Sequence, residues 1–280
     1  MGRRTIARRI EFSGVGLHTG RPCRVWLAPA RPGAGITFRL RGAAGEFHLP
    51  ARLDRVAVAD RRTTLRAGSA RIETVEHLLA ALAASEVHDL DIGVDGPEIP
   101  IFDGSFTPFS AAVAEAGVMD SGPGATLPGR LETTVELTEG RARYRAEPCE
   151  ALVLDVELVY TEPVIGTQSA SGTVGPDWFA REIAPARTFG FLHEVSALRE
   201  RGLLAGAHEG CAIVLAEDRP LNTTLRWPNE FARHKLGDLL GDLSLMGFRP
   251  RARISASCPS HRGNIAFART LAAACGHTEV

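Results

Sequence analysis

The stretch F-A-R-H-K-L-G-D-L-L-G-D-L-S-L-M-G, Phe231 to Gly247, sets His234, Asp238 and Asp242 at four-residue intervals. At ~100° per residue these three fall within about 80° of one another on a helix, while Leu236, Leu239, Leu240, Leu243 and Met246 gather on another side. His234 and Asp238 then stack one above the other, able to hold one metal ion from a single rigid turn. The ordinary alternative is a solvated charged stripe opposite an apolar one. A catalytic zinc takes three protein ligands and leaves a position for water, whose pKa it lowers to about 7. Of the nine histidines, His77 is the best third ligand, because it stands beside a carboxylate at a helix start. That carboxylate, Glu76, points ~100° away around the axis and could act as general base. The helix dipole favours acidic residues at that place too, so a purely structural reading stays open. An acid for a leaving group is available in C-P-S-H-R-G-N: His261, if Asp242 keeps its imidazole oriented and charged.

The elements that must position these residues read as two similar halves. Through about Val58, short β-type runs (I-E-F before Gly14, Cys23 to Leu27, Ile36 to Leu40) alternate with Gly and Pro. G-V-G-L-H-T-G, Gly14 to Gly20, superficially resembles a dinucleotide fingerprint, but Arg21, Pro22 and a β-like run follow where a helix should start. A glycine-rich turn is the better reading, with His18 a polar loop residue. Arg71 to Ala84 reads as a buried helix with Thr74 as N-cap. Leu90 to Val94 reads as a strand, Gly96 to Ser105 as a turn-rich connection and Phe109 to Val118 as a helix. Gly117 to Arg130, rich in Gly and Pro, marks a domain boundary. Beyond it come β-like runs (Leu131 to Leu137, Leu152 to Tyr160), a short helix near Asp177 to Ile183, another β-like run (Ala212 to Leu215) and the His234 helix. Strands followed by a helix, twice over, predict an α+β duplication with domains 1–122 and 123–280.

Composition narrows the function classes. A chain of 280 residues with 44% hydrophobic content has ample core. Its net charge of -1, with arginines spread along the sequence, offers no field for nucleic acid. Five cysteines without a C-x-x-C pair suit a reducing compartment, and no run approaches the ~18 apolar residues of a membrane span. A cytoplasmic protein with no integral membrane segment is expected.

Four blocks in order, T-V-E-H-L-L-A-A-L (Thr74 to Leu82), P-E-I-P-I-F-D-G-S (Pro97 to Ser105), A-R-T-F-G-F (Ala186 to Phe191) and R-H-K-L-G-D-L-L-G-D (Arg233 to Asp242), resemble the signature blocks of the UDP-3-O-acyl-N-acetylglucosamine deacetylases. The opening G-V-G-L-H-T-G and the closing S-H-R-G-N match as well, so the resemblance covers nearly the whole chain. It implies a zinc amidohydrolase of lipid A synthesis in Gram-negative bacteria, acting on the 2-acetamido group of a UDP-sugar and releasing acetate. By the resemblance His77, His234 and Asp238 are the zinc ligands, with Fe²⁺ a possible replacement metal, and Glu76 is the base. Zinc and the Thr188 hydroxyl would hold the oxyanion, and His261, oriented by Asp242, would protonate the departing amine. Lys235 matches the lysine that meets the nucleotide phosphates; Phe191 and Tyr160 match aromatic positions at uracil, and Phe189 falls in the same block. The implied fold is two α+β domains, each a sheet layered with helices and each carrying a small insert, with the active site between them. The second insert, a passage for the acyl chain, maps to about 164–183. A monomer is expected, with the UDP-sugar as small-molecule partner.

Some positions depart from the pattern. Ser260 and Cys258 precede the acid histidine where the family usually has Gly and a basic residue, leaving Arg262 to meet phosphate. Arg62 stands where many relatives carry cysteine, Glu194 replaces a shorter acid, and the 164–183 segment is poor in large apolar residues. Two rival classes are weaker. Two His and one Asp also hold non-haem Fe(II) in oxygenases, but usually on the strands of a barrel. A non-catalytic sugar-nucleotide binder would be expected to have lost Glu76 or His261.

Overall fold

The computed structural model describes residues 2–42, 45–57, 61–123 and 129–277. Val58 and residues 124–128 of the expected boundary lie outside the described residues. The first half contains β1 (Arg3–Ile6), β2 (Ile10–Val15), β3 (Pro22–Pro29), β4 (Ile36–Gly42), β5 (Gly45–Pro50), β6 (Val56–Ala57), β7 (Thr64–Ala67), β8 (Ala70–Glu73), α1 (Glu76–Ala84), β9 (Leu90–Asp95), α2 (Thr107–Ala116) and β10 (Val118–Gly122). In the second half come β11 (Val135–Glu139), β12 (Ala142–Pro148), β13 (Val153–Val159), β14 (Thr167–Thr173), α3 (Pro176–Trp178), β15 (Phe189–Phe191), α4 (Leu192–Glu200), β16 (Ile213–Leu215), α5 (Glu230–Leu243), β17 (Ala252–Ser257) and α6 (His261–Ala274).

The architecture is α+β, several sheets layered with helices. Its two large sheets have one topology. The first runs β2-β3-β9-β4-β5 and the second β11-β12-β17-β13-β14. In each, a single central pair is parallel, β4 with β9 and β13 with β17, and the other pairs are antiparallel. Burial alternates along these strands, as in β12, where Ala142, Tyr144 and Ala146 face inward between exposed arginines. One face of each sheet therefore packs on helices and the other meets water. Helix α5 lies on β13 and β14, α6 on β11, β12 and α5, and α1 on α5 and α2. Being at the centre, α1 buries every residue except Ala83, as a helix that is apolar nearly all round must.

Among the described residues, three smaller sheets accompany the large ones. Strands β6, β7 and β8 form one; β1 and β10 form an antiparallel pair; β15 and β16, a parallel pair connected through α4, form the third. The segment 164–183, expected as the second insert, contains β14 and a short helical stretch. Its β14 pairs along the whole of β13 as an edge strand, and Pro176 to Ile183 form a short helical stretch, of which Phe179 to Ile183 packs against α5. Alternating small and polar residues, T-Q-S-A-S-G-T, suit a half-exposed edge. The expected helix from Arg71 begins later, because Ala70 to Glu73 pair with β7 and Thr74 turns the chain at φ 59°.

Candidate active site

Helix α1 starts where it does because Thr74 is held in the left-handed region. Its hydroxyl donates to Glu98 Oε1 (2.8 Å), so it is not an N-cap, and helical residues begin at Glu76. Glu98 also accepts from the His18 and Thr19 amides and the Thr19 hydroxyl (2.7–3.1 Å). The glycine turn is thus a nest of donors around a protein carboxylate. A Cβ on Gly16 would sit 2.4 Å from Glu98 Oε2, which explains that glycine.

Helix α5 is brought onto α1 by the other half of its repeat. A Cβ at Gly237 would lie 2.3 Å from the Phe106 ring, and one at Gly241 2.2 Å from the Glu76 carbonyl oxygen. Glycines at this four-residue spacing clear one face, and His234, Asp238 and Asp242 line up on the neighbouring one. Glu76, His77, His234, Asp238, Asp242 and His261 meet there, none more than 7% exposed. This charged stripe is no solvated surface.

Ligand atoms of His77, His234 and Asp238 lie within 4.8 Å of one another. Asp238 Oδ1 faces both Nε2 atoms, at 3.6 Å from His77 and 3.4 Å from His234. The His234 ring meets the Ala186 carbonyl through Nδ1 (3.1 Å); donation there leaves the Nε2 lone pair directed at the cluster. Burial pulls the His234 imidazole down to about 3, and it is neutral, as a ligand must be. Asp238 is pushed up by burial, but His234 and Lys235 outweigh this and hold it well below the usual carboxylate range. Asp238 Oδ1 and His77 Nδ1 are buried with no hydrogen-bond partner. Converging lone pairs and an undonated carboxylate oxygen are what a divalent cation would complete, so this donor set fits a metal.

Beside the cluster stand a carboxylate and an imidazole. Burial raises the Glu76 carboxyl against the attraction of His261 and His77, and its Oε2 accepts from the Thr63 amide (3.0 Å). His261 Nε2 lies 4.0 Å from Glu76 Oε1 and 3.8 Å from Asp238 Oδ2. Its Nδ1 meets Asp242 Oδ2 at 2.8 Å. Burial alone would lower the His261 imidazole, yet Asp242, through charge and hydrogen bond, raises it to about 9. Asn264 Nδ2 donates to the same Asp242 oxygen (2.8 Å) and its Oδ1 accepts from Tyr144 (2.9 Å). A raised carboxyl beside a charged imidazole is an acid/base pair able to work near neutral pH.

The sequence profile described as UDP-3-O-acyl N-acetylglycosamine deacetylase matches residues 3–273. Curated proteins bearing the name UDP-3-O-acyl-N-acetylglucosamine deacetylase are similar along nearly the whole chain. One from Anaeromyxobacter sp. (strain Fw109-5) is 38% identical over 96% of this chain and 88% of its own. One from Chlamydia abortus is 39% identical over 96% of both. A third, from Nostoc sp., is 37% identical over 98% of this chain and 99% of its own. The chain belongs to this deacetylase family.

The family's signature blocks converge on one cavity of about 500 Å³. Glu76, His77, His234, Asp238 and His261 line it, together with Thr188, Phe189, Phe191, Tyr160 and Lys235. Asp242 lies behind His261. Lys235 Nζ donates to Asp238 Oδ2 (2.8 Å); burial works against its charge, but Asp238 raises its pKa, keeping the ammonium. Tyr160 and Phe191 face each other at 6.3 Å between centroids. His18, expected as a polar loop residue, is instead buried in the cavity wall beside Leu17. A single histidine in a glycine turn carries no periodic signal that would have set it apart. Among the departures, Arg62 turns away onto Glu73 (2.6 Å), while Arg61 reaches over the rim to Glu194. Ser260 caps α6, accepting from the Gly263 amide (3.2 Å). Arg262, on the cavity's edge, pairs with Glu139 (2.9 Å), and Cys258 accepts from the Val159 amide at 3.3 Å.

Proposed function

We propose that this chain is a zinc-dependent hydrolase, in the cytoplasm of a Gram-negative bacterium, that removes acetate from the 2-acetamido group of UDP-3-O-(3-hydroxyacyl)-N-acetylglucosamine and leaves the free amine, the committed step of lipid A biosynthesis. The relatives' shared name supports the substrate. The observation that carries the chemistry is the His77, His234 and Asp238 group with Glu76 and His261 beside it. Those three residues would hold the metal, which supplies Lewis-acid polarisation of the amide carbonyl and acidification of the attacking water; Fe²⁺ suits the same donors.

Glu76, its carboxyl raised by burial, takes the proton from that water. The Thr188 hydroxyl donates to the oxygen on which charge develops. His261 enters charged, held so by Asp242, and gives its Nε2 proton to the departing nitrogen. The C–N bond breaks with acetate and amine as products. Lys235 meets phosphate oxygens of the nucleotide, and Tyr160 and Phe191, with Phe189, present aromatic surface to the base. The acyl chain leaves past Leu17 and Ile101, which form a small apolar cluster with Cys211, Leu204, Ala207 and Ala212. The repeated sheet topology supports two domains, 1–122 and 123–280, and the chain is read as a monomer.

The test is acetate release from that substrate by metal-stripped protein, before and after one equivalent of Zn²⁺, with anaerobic Fe²⁺ alongside. Activity that returns with metal is expected. Folded, metal-binding protein that releases no acetate would overturn the reading.

A further inference from the structure

The geometry points to Thr63 as a positioning residue that ties the base and the acid of this site into one frame, a role that rests on the deacetylase reading above. Thr63 is fully buried just before β7. Its amide donates to Glu76 Oε2 (3.0 Å), and its hydroxyl donates to Asp242 Oδ1 (2.5 Å). Its carbonyl accepts from the Val75 amide (3.3 Å), next to the start of α1. One residue of the first half thus holds the carboxylate of that half's helix through its backbone and the carboxylate of the other half's helix through its side chain.

The two Asp242 oxygens divide their duties. Oδ2 accepts from Asn264 and meets His261; Oδ1 is held by Thr63. The hydroxyl therefore sets the rotation of the carboxylate, and through it the plane of the His261 imidazole. A positioned acid depends on such outer partners for orientation. Thr63 is itself neither one of the three clustered donors nor a residue of the cavity wall. Its hydroxyl oxygen stands 3.4 Å from His261 Nδ1, behind the ring with respect to Nε2, the atom that would deliver the proton.

Thr63→Val removes the hydroxyl, conserves shape and retains the amide that serves Glu76. Thr63→Ser keeps the hydroxyl. With the zinc-loaded enzyme, the Val variant should lose about 10- to 100-fold in kcat, as loss of an outer hydrogen bond does, with KM and bound zinc near those of wild type. The Ser variant should recover most of that loss. If the Val variant does not fold, Thr63→Ala is read against Ser in the same way. Wild-type kcat in the hydroxyl-free variant, equal damage in both variants, or a change confined to KM or zinc content would each overturn the proposal. Wild-type protein that releases no acetate would remove the deacetylase reading and this proposal together; an active wild type with an unaffected Val variant would remove only Thr63.

Discussion

Gly241 and Glu76 touch through backbone: no side chain fits between α5 and the first turn of α1, because a Cβ on Gly241 would lie 2.2 Å from the Glu76 carbonyl oxygen. The contact sets how far Glu76 and His77 stand from His234 and Asp238. Gly241→Ala gains about 1 kcal/mol of helix propensity. Against this, overpacking costs about 1–3 kcal/mol, and a carbonyl cannot swing aside as a flexible side chain can. Overpacking should win. The variant should melt several degrees lower and lose activity beyond its loss of folded protein, as calorimetry and rate assays on one preparation would show. Unchanged melting would mean that the helices separate freely.

Asp238→Ala should abolish metal retention. The residue supplies the sole carboxylate of the three-donor group, and two neutral imidazoles alone hold zinc weakly. Metal content after gel filtration, measured by atomic absorption, should fall from about one equivalent toward zero. Full retention would place the metal elsewhere.

Glu76→Gln and His261→Gln should leave metal content intact while lowering kcat by about 10²–10⁴, the range for loss of a positioned base or acid. Both residues lie beside the donor group and outside it. Either variant with wild-type turnover would sink the acid/base assignment.

Asp89 should make the fold sensitive to acid. Burial works to raise its carboxyl, but bidentate pairing with Arg3 (2.7 Å) and the Gly35 amide (2.8 Å) hold it below the ordinary value. A carboxyl depressed by folding stabilises the protein fully above its unfolded pKa, about 3.9. That stability drains away as pH falls through the lower folded value. Asp89→Asn removes the carboxylate charge that Arg3 meets at 2.7 Å and should cost about 3–5 kcal/mol at pH 7. The gap between the two melting temperatures should hold steady from pH 7 to about pH 5 and narrow progressively as pH falls through and below about 3.9. A gap that never narrows would contradict the assignment.

How much of this was legible in the chain differs from one residue to the next. Four-residue spacing on an unbroken helical pattern was enough to put His234, Asp238 and Asp242 on one face, because helix geometry is local. Family blocks marked His77, Glu76, His261, Thr188 and Lys235, and the cavity they line brings them together. The start of α1 differs from the periodic pattern for a long-range reason: Thr74 is turned out of the helix by Glu98, 24 residues on, and Ala70 to Glu73 are drawn into a strand by β7. Within 164–183, the edge pairing of β14 with β13 is a partner's contribution that alternating small residues do not announce.

The sequence by itself determined the class of fold and the helix that sets His234, Asp238 and Asp242 on one face, because those depend on periodicity, and its match to the family blocks singled out Glu76, His77 and His261. Only tertiary structure decided which atoms meet. The burial that neutralises His234 and raises Glu76, the Asp242 contact that keeps His261 charged, and the Thr63 hydrogen bond across 179 residues of chain exist only once both halves have closed around the site. A pKa is set by what surrounds a group in space, and no spacing along a chain specifies that surrounding.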